Sequence, residues 1–134
     1  MVLVDTNVWI DYFNGKDTAH TDKLDSLLST DIVVIGDLIL VEILQGFHQD
    51  KDFKKAKELL TTLDVYHICN QELAIKSSQN YRALRKKGVT VRKTIGCMIA
   101  TFCIENNIPL LYSDKDFDGF RMHLKLKPAL QLPN

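Results

Sequence analysis

Short apolar runs that alternate with amphipathic segments are the feature that most constrains how this chain folds. Residues 2–4 and 32–35 are brief apolar runs typical of buried parallel strands, and residues 65–68 and 110–112 are predicted as two further strands. The segments between them carry apolar residues at helical spacing, such as Leu24, Leu27 and Leu28. Strands that alternate with helices predict an α/β fold in which helices cover both faces of a parallel sheet. The tail adds a possible short last strand near residues 124–126.

Size and composition predict one compact domain that spans residues 1–134. The chain has 46% hydrophobic and 25% charged residues, as ordinary globular domains do. No apolar run approaches the roughly 18 residues that a membrane helix needs, and the N-terminus lacks the basic segment of a signal peptide. Three cysteines without a CxxC pair indicate reduced thiols, and four scattered histidines argue against a zinc site. We therefore expect a cytoplasmic protein that does not associate with membranes.

The net charge is zero, but the charges are unevenly distributed. Residues 1–50 hold nine acids and two basic residues, whereas residues 51–134 hold eight acids and fifteen basic residues. The densest basic segment, which we call the basic strip, has no acid and consists of Arg82, Arg85, Lys86, Lys87, Arg92 and Lys93. Such a strip can neutralise nucleic-acid phosphates. The alternative explanation is a solvated helix end, where cations are favoured.

Three acids follow predicted strands. Asp5 comes directly after the first strand, Asp114 after the fourth, and Glu42 about one turn into the helix after the second. Ligand sites in open parallel sheets form beyond the carboxyl ends of the strands, where the strand order reverses. If the first and fourth strands are neighbours, the three carboxylates converge on one crevice. The alternatives are that Asp5 only caps its helix and that Glu42 is an ordinary exposed residue.

Converging carboxylates suit a divalent cation. Their mutual repulsion raises at least one pKa unless a positive charge lies between them. Oxygen ligands favour Mg²⁺, with Mn²⁺ as an alternative. Such an ion can activate a water molecule and stabilise the charge that develops on a phosphodiester. Thr6 and Asn7 are candidates to orient the ligands from behind.

Four segments together resemble the PIN domains of VapC toxins. Residues 2–11 (VLVDTNVWID) are similar to the start of those domains, and residues 41–46 (VEILQG) to their second acidic motif. Residues 97–101 (CMIAT) resemble the helix of the third motif, and residues 110–117 (LLYSDKDF) the fourth. The order and spacing agree over essentially the whole chain.

The resemblance implies a three-layer α/β/α fold whose central parallel sheet has about five strands. It also implies a Mg²⁺-dependent endoribonuclease toxin that cuts structured RNA, of the tRNA or rRNA class. A cognate VapB-type antitoxin would insert a segment into the active-site groove, and a homodimer is usual. By position, the catalytic and metal-binding acids fall on Asp5, Glu42 and Asp114, with Asp116 as an accessory catalytic residue.

One position departs from the family pattern. The third acid is expected just before Cys97, where this chain has Gly96. Glycine offers no ligand and costs up to about 1 kcal/mol relative to alanine inside a helix, so stability does not explain it. Gly96 is a natural lesion, an engineered change, or the mark of a member that needs fewer ligands. We expect strongly reduced activity with RNA or antitoxin binding retained. The alternative function is a catalytically inactive PIN-fold module that binds antitoxin or RNA.

Other phosphate-handling classes fit less well. A receiver domain needs an aspartate after its third strand, where this chain has Cys69-Asn70-Gln71. A dehalogenase-type phosphatase needs DxD after its first strand, where this chain has Asp5-Thr6-Asn7. The glycines match neither the dinucleotide-binding pattern nor the P-loop pattern.

Overall fold

The computed structural model describes residues 1–131, in which helices alternate with short strands. The strands are β1 (Val2–Val4), β2 (Val33–Gly36), β3 (Asp64–Tyr66) and β4 (Leu110–Leu111). The helices are α1 (Thr6–Phe13), α2 (Ala19–Thr30), α3 (Asp37–Leu44), α4 (Asp50–Leu60), α5 (Gln71–Lys86), α6 (Thr94–Asn106) and α7 (Asp118–Leu124). A 3₁₀ helix covers Lys115–Phe117.

The strands form one parallel sheet in the order β3-β2-β1-β4. Val2 pairs with Val33 on one side of β1, and Leu3 pairs with Leu110 on the other. The chain thus builds the sheet outward from β1 to β3 and then crosses back to place β4 beside β1. The strand order reverses between β1 and β4. The predicted α/β class with a parallel sheet is confirmed.

The predicted last strand near residues 124–126 is wrong. Those residues belong to the end of α7 and the turn after it, where Lys125 adopts a left-handed φ of 67°. Leu126 is 3% exposed, so its apolar side chain belongs to the core although the residue lies outside any strand. Slightly later, Pro128 forms a single parallel bridge to Leu110. The described residues therefore contain four strands instead of about five.

The core lies on both faces of the sheet. Residues of β1, β2 and β4 are almost completely buried, as continuous apolar runs require. Helix α1 contacts α2 and α3, α3 contacts α4, and α5 contacts both α6 and α7, so the helices form two layers. Trp9 fills one layer, and Leu84 and Ile99 fill the other. The predicted three-layer arrangement is confirmed. Among residues 1–131, every helix is too short or too polar to cross a membrane.

Candidate active site

A cleft lies where the strand order reverses. Val4 pairs with Leu111, so the residues that follow β1 and β4 leave the sheet side by side. Asp5 continues this pairing, because its backbone N–H donates to Leu111 O over 2.9 Å. Helix α3 brings Glu42 to the same place. The lining residues are Asp5, Thr6, Asn7, Glu42, Val91, Lys93, Gly96, Cys97, Ile99, Asp114, Asp116, Phe117 and Phe120, and the volume is about 50 Å³.

The α1–α3 side of this cleft consists of Asp5, Thr6, Asn7 and Glu42. Thr6 Oγ1 donates a hydrogen bond of 2.7 Å to Glu42 Oε1. Thr6 itself is buried, 8% exposed, so this bond is shielded from competing water. It joins the start of α1 to the middle of α3 and orients the Glu42 carboxylate.

Asp5 is the acid of the site whose ionised form is most disfavoured by its surroundings. It stands at the N-cap position of α1 but makes no side-chain capping bond, and it is 5% exposed. Its pKa is raised to about 6, mainly because burial disfavours the charged form. The negative charges of Glu42 and Asp114 raise this pKa further, whereas the backbone amides of Thr6 and Asn7 oppose the shift. A positive charge in the cleft would remove this penalty.

The α6–β4 side consists of Lys93, Gly96, Asp114 and Asp116, and it is more open. Asp114 Oδ1 accepts a hydrogen bond of 2.9 Å from the backbone N–H of Asp116, which caps the 3₁₀ helix. Asp116 Oδ1 lies 4.0 Å from Arg92 Nε, and the Arg92 side chain is 77% exposed. The acids on this side are only partly buried: Asp114 accepts a backbone hydrogen bond, and Asp116 lies near a cation.

Gly96 occupies a helical position with room for a side chain. A Cβ atom added there would lie 3.9 Å from both Lys93 Cβ and Phe117 Cζ, which is ordinary van der Waals contact. The residue lies within α6 and lines the cleft. Neither crowding nor backbone conformation therefore requires glycine at this position.

The predicted basic strip divides into separate groups. Lys93 lines the cleft and Arg92 approaches Asp116. Arg82 lines a different cavity of about 380 Å³ between α5 and α6. The remaining three lie at the exposed end of α5: Arg85, which stacks 5.7 Å from the ring centre of Tyr81, Lys86 and Lys87. The strip therefore borders the carboxylates only at its C-terminal end.

The donor set of the cleft suits a hard divalent cation. Asp5, Glu42 and Asp114 offer carboxylate oxygens, and burial together with the neighbouring negative charges raises the pKa of Asp5, a shift that a bound cation would oppose. Within residues 1–131, no three His, Cys, Asp or Glu side chains are already arranged around a metal position. Glu42 is instead held by Thr6, and Asp114 by the Asp116 amide. Ion binding would therefore require these side chains to turn inward.

Sequence reasoning did not identify the apolar part of the lining. Ile99, Phe117 and Phe120 border the carboxylates and are almost fully buried. These apolar side chains contribute to the burial of Asp5. The three-residue spacing of Phe117 and Phe120 was the available signal, since it places both on one helical face.

Comparison with known proteins agrees with this architecture. Residues 2–121 match the PIN domain family. The chain is 29% identical over 131 residues to the VapC ribonuclease Mb1587 of Mycobacterium bovis and to the ribonuclease VapC11 of Mycobacterium tuberculosis. Each alignment covers 96% of this chain and 98% of the relative.

Solved structures show the same fold. VapBC2 from Rickettsia felis, bound to a promoter DNA fragment, superimposes with a TM-score of 0.76 at 17% identity and covers 96% of this chain and 97% of that chain. DNA-bound VapBC from Salmonella typhimurium gives a TM-score of 0.71 at 20% identity, with 96% and 97% coverage. Identities this low speak for the fold alone. The match over residues 2–121 establishes that the chain belongs to the PIN domain family.

Proposed function

We propose that this chain is a Mg²⁺-dependent endoribonuclease toxin of the VapC kind that acts in the cytoplasm. The observation that carries the proposal is the meeting of Asp5, Glu42 and Asp114 in one cleft, where burial raises the pKa of Asp5 to about 6. A protein tolerates such a penalty where a functional cation compensates it. The similar mycobacterial proteins are named ribonucleases, which supports RNA as the substrate.

Each group of the cleft has a distinct task in this proposal. Asp5, Glu42 and Asp114 would hold Mg²⁺, or Mn²⁺ in its place. The ion would lower the pKa of a water molecule and offset the charge that develops on the cleaved phosphodiester. Thr6 keeps the Glu42 carboxylate oriented through its 2.7 Å hydrogen bond.

The other polar residues position the acids and the substrate. The backbone amide of Asp116 holds Asp114, and the Asp116 carboxylate is an accessory acid at the edge of the cleft. Asn7 lines the cleft beside Asp5 and is exposed, so it can contact substrate or water. Lys93, which lines the cleft, and Arg92 beside Asp116 would neutralise backbone phosphates of RNA.

A VapB-type antitoxin is the proposed protein partner. Helices α1 and α3, which border the cleft, expose Ile10 (37%) and Val41 (57%) to solvent. Val41 directly precedes Glu42, so a partner that covers it also lies close to the carboxylates. Proteins of the same fold were solved as VapBC complexes. The homodimer and the tRNA or rRNA class of substrate rest on the family resemblance alone.

A cleavage assay tests the proposed chemistry. The chain would be incubated with tRNA and rRNA in Mg²⁺ and in EDTA, alongside an Asp5→Asn variant. We expect cleavage in Mg²⁺ that EDTA and the substitution both stop. Equal cleavage in EDTA, or by the variant, would contradict the proposal.

The alternative is an inert PIN-fold module that only binds antitoxin or RNA. Gly96 is the observation that favours it, because the family resemblance implies a third acid at this position and the structure has space for one. This alternative predicts that the chain binds RNA or antitoxin without cutting RNA in Mg²⁺, and that Gly96→Asp confers cleavage.

A further inference from the structure

A second groove adjoins the carboxylate cleft and shares Asp114 with it. We call it the Tyr112 groove. Its side-chain lining includes His20, Tyr112, Lys115, Asp118 and Arg121, and residues 128–131 border it. Its volume is about 520 Å³, against about 50 Å³ for the carboxylate cleft.

The two volumes suit different parts of a nucleotide. A cleft of about 50 Å³ holds an ion and a few water molecules, since each water needs roughly 10–15 Å³ of such space. Sites for organic ligands span roughly 300–1,000 Å³. The base and sugar of a nucleotide therefore lie outside the cleft when its phosphate reaches the carboxylates. The Tyr112 groove has the required size and begins at Asp114.

The cations of the groove suit a phosphodiester backbone. Lys115 directly follows Asp114, is exposed, and forms no ion pair with any of residues 1–131. Arg121 Nε lies 3.8 Å from Asp118 Oδ1, which holds the guanidinium at the edge of the groove. Asp118 is thereby partly neutralised, and one full positive charge remains available beside Asp114.

The Tyr112 ring is fixed in position by Phe117 and Asp118. Its centre lies 5.2 Å from that of Phe117, at an interplanar angle of 47°. Its hydroxyl donates to Asp118 Oδ1 over 3.5 Å. A ring fixed in this way loses little conformational entropy when a base stacks on it.

We infer that the Tyr112 groove binds a nucleotide of single-stranded RNA next to the cleaved phosphate. Tyr112 stacks on the base, and Lys115 and Arg121 contact the backbone, the combination of aromatic ring and cations that single-stranded nucleic acids require. The inference rests on the proposed ribonuclease function. The cavity between α5 and α6 is a weaker candidate, since it shares only Cys97 with the cleft and reaches no carboxylate.

Charge substitutions test the backbone contacts. A Lys115→Gln/Arg121→Gln variant would be compared with Lys51→Gln/Lys54→Gln, which removes the same charge from exposed positions of α4. Affinity for fluorescein-labelled random-sequence RNA hexamers would be measured by anisotropy in EDTA at several salt concentrations. We expect the groove variant to bind about tenfold more weakly. Its log–log salt slope should fall by about 0.7–1.4, because Lys115 is worth roughly 0.7 as a full contact with a single strand and Arg121, which is paired with Asp118, adds up to the same amount.

Ring substitutions test the stacking. Tyr112→Leu should weaken hexamer binding about five- to 150-fold, because base–aromatic stacking contributes roughly 1–3 kcal/mol. Tyr112→Phe keeps the ring and should bind within about twofold of the wild type. Thermal unfolding would check that both variants fold, and the Lys115→Gln/Arg121→Gln arm stands independently of them.

The outcomes separate this inference from the proposed function. If the wild type binds and cuts RNA but the groove variants behave like the α4 control, only the groove assignment is overturned. The same holds if the groove variants lose affinity for an antitoxin peptide but not for RNA. If the wild type neither binds nor cuts RNA, the proposed function fails and the groove assignment fails with it.

Discussion

The two sides of the carboxylate cleft come from segments of opposite charge and differ in how deeply their side chains are buried. The α1–α3 side belongs to the acidic first 50 residues, and its key groups are buried: Asp5 is 5% exposed and Thr6 8%. The α6–β4 side belongs to the basic remainder, with Asp114 half-buried and Lys93 exposed. Asp5 and Asp114 thus follow neighbouring strands but experience different surroundings.

This difference indicates where each task is performed. Burial raises the pKa of Asp5, so the α1–α3 side has the stronger electrostatic requirement for a cation. The α6–β4 side has the exposed cations and the vacant space at Gly96, so it is the side that can accept RNA or an additional ligand. The following experiments test whether the two sides of the cleft differ in this way.

The largest expected effect is on catalysis. Asp5→Asn should reduce Mg²⁺-dependent RNA cleavage by at least about 10³-fold, because loss of several kcal/mol of metal-derived stabilisation corresponds to that factor. Asp116→Asn, which alters only the edge of the cleft, should reduce it far less. Initial rates at saturating RNA measure both, and equal losses would remove the proposed asymmetry.

The same substitution should have the opposite effect on stability. The pKa of Asp5 is about 6 in the folded protein against 3.8 for an unperturbed aspartate, so the folded state binds this proton more tightly. Its stabilising contribution is fully present below about pH 4 and is lost as the pH rises through 6. At 1.36 kcal/mol per pKa unit, Asp5→Asn should raise the metal-free stability by about 3 kcal/mol at pH 7.5 and hardly at pH 4.

Urea unfolding in EDTA at the two pH values measures this change. Asp114→Asn is the matched control: it keeps an oxygen that can accept the Asp116 amide hydrogen bond, and it should change stability by less than about 1 kcal/mol. An Asp5→Asn variant no more stable than the wild type at pH 7.5 would show that burial of Asp5 carries no electrostatic cost.

Gly96→Asp should gain activity on the α6–β4 side. A carboxylate there has room and faces the cleft, so we expect at least about a tenfold faster cleavage, equivalent to roughly 1.4 kcal/mol of transition-state stabilisation. Gly96→Asn has nearly the same size without the charge and should gain nothing. If both variants cut no faster than the wild type, Gly96 does not explain reduced activity.

Thr6→Val should have a moderate effect on the α1–α3 side. It removes the hydrogen bond to Glu42 at nearly constant volume, at a cost of about 1 kcal/mol. We expect kcat to fall severalfold with little change in KM, because Glu42 loses its orientation while RNA contacts remain. Thr6→Ser restores the hydroxyl and should restore kcat. A kcat unchanged by Thr6→Val would mean that Glu42 needs no such support.

The smallest expected effect separates the two ends of the basic strip. Arg92→Gln/Lys93→Gln should lower the log–log salt slope of RNA binding by about 1.4, at roughly 0.7 per contact. Lys86→Gln/Lys87→Gln removes the same charge at the exposed end of α5 and should change the slope less. A larger change in the second variant would place the RNA track along α5 instead.

Local signals account for most of the fold that the sequence predicts. Helix α5 begins where Asn70 can cap it, and the Asn70 side chain accepts from the Leu73 amide over 2.9 Å. The helix ends before Gly88, which adopts a φ of 78°. The failed strand near residues 124–126 shows the limit of such signals. Apolar residues two apart fit a strand, yet Leu124 closes a helix whose packing a sequence window does not reveal.

For the site, strand ends and helix spacing were enough to select Asp5, Glu42 and Asp114 as candidates. The same information could not distinguish the six cations of the basic strip, of which only Lys93 lines the cleft. It also could not show the Tyr112 groove, whose walls come from α2, the loop after β4, α7 and the final segment.

The alternation of strands and helices and the acids at the strand ends follow from the amino-acid sequence alone, because they depend on neighbours within a few positions. The alternation in turn implies a parallel sheet. Only the tertiary structure decided that Asp5 is buried and Asp114 is not, that Thr6 supports Glu42, and that Gly96 leaves usable space. Desolvation and Coulomb interactions depend on distances between residues far apart in the chain. Such distances exist only once the sheet has brought β1 and β4 together.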